Sequence, residues 1–356
     1  MDKKHLAILF GGKSTEHEVS VISALQIYKK LKADFKVTLI YISKQNKWYT
    51  GKKFLDIKNY KNLQDIKDSF SEVILGSKSS RGELRVIYKR KRLGLFKQQL
   101  DFNNTLLCFH GGSGENGDLQ GMFDMYGIKY IGCNKHASSI CFNKITTKNI
   151  LNDNNILNTN FLHFNKKDWL KKQKAILDDV QKQLKLPYFS KPANAGSSIG
   201  VAKNNNLSEL KNSIEVALKY DNNALVEQGV KNAREFNISV ASDEDKNIIV
   251  SQIEEVFAYS EFLNFADKYE GGDKSTKGLE LTQQSSAGME NTNRKIPAEI
   301  DKELQDSIIN TAKKAYKILD CYGGLVRIDF LWNKKELFLV EVNSVYGQKG
   351  NLLVIF

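Results

Sequence analysis

The sequence predicts an α/β protein with more than one domain, and its first domain opens on a parallel β-sheet. Residues 5–11, HLAILFG, are an apolar run of strand length that ends in glycine, as is typical of a buried parallel strand. A helical pattern follows from Ser14, the predicted N-cap, and residues 36–43, KVTLIYIS, indicate a second strand. This strand–helix–strand order predicts helices on the faces of a parallel sheet. The length of 356 residues suits two or three domains.

The pattern changes near residue 133, which predicts two further α/β units. We therefore divide the chain into units at 1–132, 133–226 and 227–356. Residues 258–288 are polar and glycine-rich, and a segment of that length more often forms a lid than a plain connection. The other predicted elements are helices at 117–127, 136–155, 207–220 and 299–320, and strands at 105–112, 128–132, 159–164, 188–193, 223–230, 234–242, 247–257, 323–332 and 336–344.

Composition places the chain among ordinary globular proteins, with 41% hydrophobic and 26% charged residues. No stretch approaches the roughly 18 apolar residues of a membrane span. The N-terminus lacks the long apolar region of a signal peptide, so we expect a cytoplasmic protein with no membrane partner. The cysteines follow neither zinc-site nor disulfide spacing, so free thiols are predicted. They are Cys108, Cys133, Cys141 and Cys321.

The net charge of +12 permits binding to nucleic acid but does not by itself predict it. Most lysines are dispersed along the chain, and the one dense basic run is residues 89–92, KRKR. This run favours a solvated hairpin or strand edge, where charge prevents edge-to-edge pairing. We therefore expect no nucleic-acid partner.

The segment from Lys191 to Gly200, KPANAGSSIG, has the composition of a loop that approaches an anion closely. Glycines allow the backbone amides to reach phosphate oxygens, and Ser197 and Ser198 add hydroxyl donors. A plain hairpin turn explains the same residues equally well. Lys144 and Lys268 are candidates to bind the same anion, although each by itself is typical of a surface lysine.

The last predicted strand pair carries a candidate metal site. Arg327 and Asp329 alternate on one strand, and Glu341 and Asn343 alternate on the next. Residues two apart on a strand face the same side, so the two carboxylates and the amide can converge. Such oxygen donors suit Mg²⁺. The alternative is a solvated strand face, or one that Arg327 neutralises.

Three further carboxylates end or begin predicted strands. Glu227 could accept hydrogen bonds from a ribose, the backbone of Gln228 to Val230 could contact adenine, and Glu235 could lie near the ribose or phosphates. Glu16 follows the first strand, at the edge where open α/β sheets bind ligands, and could pair with a substrate ammonium. Each of these has an ordinary structural explanation, which for Glu16 is a favourable position at a helix N-terminus.

Taken together, these segments resemble the D-alanine–D-alanine ligases of the ATP-grasp superfamily. The resemblance spans about residues 5 to 350, and no single motif carries it. The matching segments, in order, are LFGGKSTEHEVS, FHGGSGENGDLQGMF, YIGCNKHASSICFNKITTK, KPANAGSSIGV, LVEQGV, REFNISV, DKY, RIDF and VEVN. The resemblance implies three domains, an N-terminal Rossmann-like (pre-ATP-grasp) domain and two α+β domains that clamp ATP.

The resemblance also implies a reaction. ATP would phosphorylate the carboxylate of one D-alanine, and the amine of a second would attack the acylphosphate to give D-alanyl-D-alanine for peptidoglycan. The implied cofactor is Mg²⁺ or Mn²⁺, as two ions, and the implied assembly is a homodimer. The residues that match the family's catalytic positions are Glu16, Ser197, Tyr269, Arg327 and Gly347. Those that match its ATP-binding positions are Lys144, Lys191, Ser198, Glu227, Gln228, Val230, Glu235 and Lys268, and those that match its metal ligands are Asp329, Glu341 and Asn343. His110 matches a histidine near the family's active site.

The C-terminal segment departs from the family pattern. Tyr346 replaces a proline, while Gly347 is retained and its amide could still serve an oxyanion. Leu352 and Leu353 align near the position of a serine that contacts the second substrate, and the sequence stops at Phe356, where the family continues into a helix. A lineage variant, a truncated or frameshifted reading frame and a paralogue of weakened activity all fit. A D-Ala–D-Ser or D-Ala–D-lactate ligase is a further alternative, although the tyrosine of DKY favours D-alanine.

Overall fold

The computed structural model describes residues 3–60, 70–75, 84–89, 97–102, 104–196, 198–243, 245–257 and 293–344. Several predictions fall outside these residues and stay predictions. They are the lid at 258–288 with Lys268 and Tyr269, and the site residues Ser197, Gly347, Leu352 and Leu353.

A seven-stranded sheet forms the N-terminal part, in the order β6-β5-β4-β3-β2-β1-β7. Its strands are β1 (His5–Gly11), β2 (Lys36–Ile42), β3 (Trp48–Thr50), β4 (Ser71–Leu75), β5 (Leu84–Lys89), β6 (Lys97–Phe102) and β7 (Asn104–Cys108), and helix α1 (His17–Leu31) follows β1. β1 is parallel to both β2 and β7, which confirms the predicted parallel opening. The strands β2 to β6 pair antiparallel in succession, which the sequence did not indicate. Lys89, the first residue of the basic run, ends β5, and β5 pairs antiparallel with the edge strand β6.

Helix α1 begins later than predicted. Gly11 and Gly12 have φ of +95° and +82° and turn the chain, and the N-cap position is Glu16 rather than Ser14. The Ser14 hydroxyl accepts from the Glu16 amide at 3.0 Å within this turn, so Ser14 does not cap the helix. Ser20 of α1 accepts from the Gly11 amide at 2.7 Å and donates to the Cys108 carbonyl at 2.6 Å. This hydroxyl ties α1 to the ends of two parallel strands beside Glu16.

The helices that follow are α2 (Asp118–Tyr126), α3 (Lys135–Phe142) and α4 (Lys144–Asp153). The single helix predicted at 136–155 is wrong, because Asn143 has φ −91° and ψ +102° and separates α3 from α4. Its side chain accepts from the Thr146 amide and so caps α4. The strand predicted at 128–132 is reduced to one bridge between Leu106 and Ile131.

A four-stranded antiparallel sheet follows, in the order β10-β9-β11-β8. Its elements are β8 (Phe161–Asn165), α5 (Lys166–Gln183), β9 (Tyr188–Pro192), β10 (Ala202–Asn204), α6 (Leu207–Tyr220) and β11 (Asn223–Gln228). Ala224 and Val226 of β11 pack with Trp169 of α5 and Ile214 of α6 in one core. Since strand residues alternate between faces, Lys191 of β9 and Glu227 of β11 lie on the opposite face.

A six-stranded sheet completes the described chain, in the order β15-β14-β12-β16-β17 with β13 paired to β12. Its elements are β12 (Arg234–Ser242), β13 (Ile248–Val250), β14 (Glu254–Phe257), β15 (Asn293–Lys295), α7 (Lys302–Ile318), β16 (Val326–Trp332) and β17 (Leu337–Asn343). The strand predicted at 247–257 is wrong in part, because it divides into β13 and β14. Helices α3 and α4 pack into the core of this sheet with α7, although they precede the four-stranded sheet along the chain.

Two simple expectations concern the whole chain. None of the helices in the described part of the chain is long and apolar enough to span a membrane. All four cysteines are buried and free, as predicted.

Candidate active site

Glu16 lies where the N-terminal sheet meets the glycine-rich loop at 193–201, between β9 and β10. Its carboxylate is buried and packs against Gly111 and Gly196, because a Cβ added at either glycine would overlap Glu16 Oε2. The loop is the connection of an antiparallel strand pair, so the hairpin alternative is correct in topology. It is not a tight turn, since it extends far enough to reach the carboxylate of Glu16 at the N-terminus of α1.

Lys144 links the same loop to the six-stranded sheet. It is the first residue of α4, and its amide donates to the Ala193 carbonyl at 3.0 Å. Its Nζ donates to the Ala195 carbonyl at 2.5 Å and lies 3.0 Å from Glu341 Oε1. Burial lowers the pKa of Lys144, but the carboxylates of Glu341, Glu115 and Glu227 outweigh it and hold that pKa above its usual value. Lys144 is therefore a charged cation.

The candidate metal residues share one face of β16 and β17. Asp329 is the register partner of Glu341, and Arg327 is the partner of Asn343. The Arg327 guanidinium donates to both oxygens of Asp329, at 2.6 and 2.7 Å, and Asn343 Nδ2 donates to Oδ2 at 3.2 Å. The predicted convergence is correct, and it takes the form in which Arg327 neutralises Asp329.

Glu235 lies on the same face of the six-stranded sheet. Its neighbour Phe236 points into the core, so Glu235 points to the side that carries Asp329. The non-core faces of both later sheets thus carry the residues predicted to bind nucleotide and metal. Because Lys144 contacts both the glycine-rich loop of β9–β10 and Glu341 of β17, these faces adjoin, and we call the space between them the cleft.

The chain matches two family models that together cover most of its length. Residues 5–133 match the family model described as D-ala D-ala ligase N-terminus, and residues 150–349 match the model described as D-ala D-ala ligase C-terminus. The chain is 35% identical over 344 residues to a D-alanine--D-alanine ligase of Thermosipho melanesiensis, covering 96% of this chain and 86% of that protein. It is 32% identical over 355 residues to the enzyme of that name from Acetivibrio thermocellus, covering 97% and 88%.

The chain belongs to the D-alanine–D-alanine ligase family. Solved structures with similar folds include the VanG D-Ala:D-Ser ligase of Enterococcus faecalis, with a TM-score of 0.74 and 26% identity, covering 97% of this chain and 91% of that one. Another is D-alanyl-alanine synthetase A of Vibrio cholerae, with a TM-score of 0.73 and 25% identity, covering 97% and 90%. The predicted ATP-grasp fold is confirmed.

In this member of the family, Glu227 lies inside a cluster of cations. Its Oε2 is 2.9 Å from Lys191 Nζ and accepts from Thr159 Oγ1 at 3.1 Å, and its Oε1 is 3.5 Å from Lys148 Nζ. Burial raises the pKa of Glu227, but Lys148 and Lys191 outweigh it and lower that pKa to about 2. The sequence analysis did not identify Lys148 as a site residue. Its position one helical turn after Lys144 could have indicated it.

The backbone expected to contact adenine is partly engaged already. The amide of Gln228 donates to the Asn160 carbonyl at 2.9 Å, and the amide of Gly229 donates to the Pro187 carbonyl at 2.8 Å. An adenine contact from this stretch must therefore use carbonyl oxygens or the Val230 amide. Ser198 is held at φ +61°, and the Val201 amide donates to its carbonyl at 3.2 Å in the glycine-rich loop.

A second carboxylate beside Glu16 also escaped the sequence analysis. Glu115 accepts from the Gly111 amide at 2.7 Å, and burial together with the Glu16 charge raises its pKa to about 8. His110 is buried at the end of β7, with Nε2 3.0 Å from the Ser23 hydroxyl. The segment 110–115 therefore lines the side of the cleft that Glu16 occupies.

Proposed function

We propose that this protein joins two D-alanines into D-alanyl-D-alanine for peptidoglycan precursors, with ATP activating the first as D-alanyl phosphate. One observation carries the proposal. Contacts run from Glu16 through the glycine-rich loop to Lys144 and on to Glu341, the register partner of Asp329. This line joins a carboxylate suited to a substrate ammonium with cations and carboxylates suited to a nucleotide and its metal.

The first D-alanine binds through its ammonium at Glu16. Two carboxylates, the buried Glu16 and the half-buried Glu115, lie close together there, so a cation at this position relieves their mutual repulsion. An ammonium held at Glu16 leaves the substrate carboxylate on the side of Lys144, where the phosphates of ATP would lie. In that position the substrate would present one carboxylate oxygen to the γ-phosphate.

The phosphates of ATP bind among Lys144, Lys191 and the amides of the glycine-rich loop. Phosphoryl transfer depends on positioning and on neutralising charge more than on covalent help from the protein. A carboxylate oxygen of D-alanine attacks the γ-phosphorus, the P–O bond to ADP breaks, and D-alanyl phosphate forms. The amine of the second D-alanine then forms the C–N bond, phosphate departs with the C–O electrons, and the amine loses its proton. Arg327 and the Gly347 amide are proposed to stabilise the oxyanion that forms at the acyl carbon when the amine attacks.

Asp329, Glu341 and Asn343 can hold a divalent metal ion once Arg327 releases the Asp329 oxygens and Asn343 turns its amide oxygen toward the ion. These side chains offer only hard oxygen donors on one strand face, as Mg²⁺ or Mn²⁺ requires. No group of three or more His, Cys, Asp or Glu side chains that could hold a metal occurs in the described part of the chain, so the proposed set depends on the Asn343 amide oxygen. Bound there, two such ions would neutralise charge on the transferring phosphate.

Three properties complete the proposal and rest on the family. The protein acts as a homodimer, in the cytoplasm, on ATP and D-alanine. Light scattering on the eluting peak of a sizing column tests the dimer, and a mass of one chain of 40.4 kDa would contradict it.

Phosphate release from ATP and Mg²⁺ tests the proposed reaction. We expect release to require D-alanine and to fall at least about a hundredfold in Glu16→Gln, since that variant loses the charge that holds the ammonium. Glu18→Gln is the matched control, because Glu18 lies two residues away and pairs with the exposed Lys44 at 2.6 Å. Release that is independent of D-alanine, or equal in both variants, would overturn the proposal.

The choice of second substrate is read from the same assay. VanG, named a D-Ala:D-Ser ligase, is among the similar structures, so D-serine is a specific alternative as second substrate. D-serine and D-lactate are therefore added in turn to a limiting amount of D-alanine. Faster phosphate release with either one than with excess D-alanine would replace D-alanine as the proposed second substrate.

A further inference from the structure

Lys148 is a buried cation beside the cleft. Its side chain is 2% exposed, and its Nζ donates to Thr159 Oγ1 at 2.7 Å, to the Thr159 carbonyl at 3.3 Å and to Asn158 Oδ1 at 3.4 Å. Nζ also lies 5.3 Å from the centre of the Phe161 ring. These contacts hold the ammonium away from the open cleft, so Lys148 does not reach a nucleotide.

The carboxylate that Lys148 faces has two cationic neighbours that differ in freedom. Lys148 is a residue of α4, and its ammonium is held by Thr159. Thr159 in turn donates to Glu227 Oε2 at 3.1 Å. Lys191 approaches the same oxygen at 2.9 Å from the neighbouring strand, with its side chain on the cleft face and 14% exposed. Of the two, only Lys191 is placed to turn toward a ligand.

A nucleotide phosphate competes with Glu227 for Lys191. If Lys191 were the sole counter-ion, its transfer to phosphate would leave a buried carboxylate without a charged partner, which is strongly unfavourable. Lys148 removes that cost because it remains beside Glu227 when Lys191 moves. Two lysines and one carboxylate therefore supply one positive charge in excess, and that charge is available to the ligand.

We propose that Lys148 is the resident counter-ion of Glu227, and that it releases Lys191 to bind the phosphates of the nucleotide. Lys148 is thus a positioning residue that acts through Glu227 and Lys191. This role rests on the proposed function, since it requires ATP in this cleft.

Nucleotide binding without D-alanine tests this role. Calorimetry measures Kd for ATP, ADP and adenosine in wild type, in Lys148→Met, in Glu227→Gln and in the double variant. In Lys148→Met we expect Kd for ATP and ADP to rise about tenfold or more, because Lys191 stays on Glu227, while Kd for adenosine changes less than about threefold. In the Glu227→Gln background, Lys148→Met should change Kd for ATP less than about threefold, since no carboxylate then holds Lys191.

A matched control separates this role from a structural one. Thr147 precedes Lys148 in α4, and Thr147→Val removes the partly buried hydrogen bond from Thr147 Oγ1 to the Ile140 carbonyl of α3 at 2.6 Å. This variant should leave every Kd unchanged. The double variant removes both charges together, so it stays folded even where Lys148→Met alone does not. The Kd for ATP of the double variant, compared with that of Glu227→Gln, then decides whether Lys148 acts through Glu227.

The outcomes distinguish the two proposals. Equal losses for ATP and adenosine in Lys148→Met, or a further tenfold loss of ATP affinity in the Glu227→Gln background, would overturn the role of Lys148 and leave the proposed function intact. Absence of ATP binding by the wild-type protein would overturn the proposed function itself. Binding by the wild type with no D-alanine-dependent phosphate release would overturn the ligase reaction but not the role of Lys148.

Discussion

Replacing Lys144 with methionine removes a side chain that contacts both the glycine-rich loop and Glu341 of β17. The variant keeps an unbranched apolar side chain but loses the ammonium. It loses the hydrogen bond to the Ala195 carbonyl at 2.5 Å and the ion pair with Glu341 at 3.0 Å. In the proposed reaction it also loses a cation beside the transferring phosphate.

The expected magnitudes differ for stability and for catalysis. Opposite charges 3.0 Å apart attract by roughly 5 kcal/mol at an effective dielectric constant of about 20, and desolvation cancels most of that. The side chain of Glu341 is 33% exposed, so we expect a net loss of only about 1 kcal/mol of folding stability. Losing a cation that acts on the transition state costs about 3–4 kcal/mol, or about a hundredfold to a thousandfold in kcat/KM.

Steady-state phosphate release and thermal unfolding measure the two effects on the same samples. We expect kcat/KM for ATP to fall at least about a hundredfold while Tm falls by only a few degrees. The control is Lys135→Met, which removes an exposed pair with Asp124 at 3.5 Å and should leave kcat/KM unchanged. A Lys144→Met variant with kcat/KM within threefold of wild type would refute the reasoning.

Three further predictions concern the other parts of the cleft. A Cβ in Gly196→Ala overlaps Glu16 Oε2, so KM for the first D-alanine should rise about tenfold or more; an unchanged KM would contradict the contact. Because burial and Glu16 raise the pKa of Glu115 to about 8, ionised Glu115 gains population as pH rises, and D-alanine should bind more tightly from pH 6.5 to 8.5. Glu115→Gln should flatten the pH dependence of D-alanine binding. A pH dependence as steep as that of the wild type would show that Glu115 is not the group that titrates. Asp329→Asn loses the charge that faces Arg327, so Mg²⁺ should raise Tm in the presence of ADP for wild type but not for the variant; an equal rise would exclude Asp329 as a ligand.

The later elements and the convergence of the metal residues were predictable because local signals decide them. Residues 207–220 and 234–242 form the helix and strand predicted, since their apolar periodicity matches the face that each buries. Alternation along β16 and β17 was enough to place Asp329 and Glu341 on one side. Such inferences need only the spacing of residues within an element.

The remaining features depend on contacts between distant segments. Asn143 divides a continuous helical pattern because it caps α4 while ending α3, and both roles need its non-helical backbone. Helix α5 has a strongly charged sequence and buries few side chains, among them Trp169 and Val180, so its pattern is weak. Lys148 resembles a surface lysine in sequence, and only the folded chain brings it beside Glu227 and Thr159 and buries it there.

Mass spectrometry of the products tests the central claim most directly. The protein is incubated with ATP, Mg²⁺ and isotopically labelled D-alanine, and both dipeptide and phosphate are counted. The account predicts one D-alanyl-D-alanine for each phosphate released, and neither product above background in Glu16→Gln. Phosphate without dipeptide, or bound ATP with no turnover of D-alanine, would contradict it.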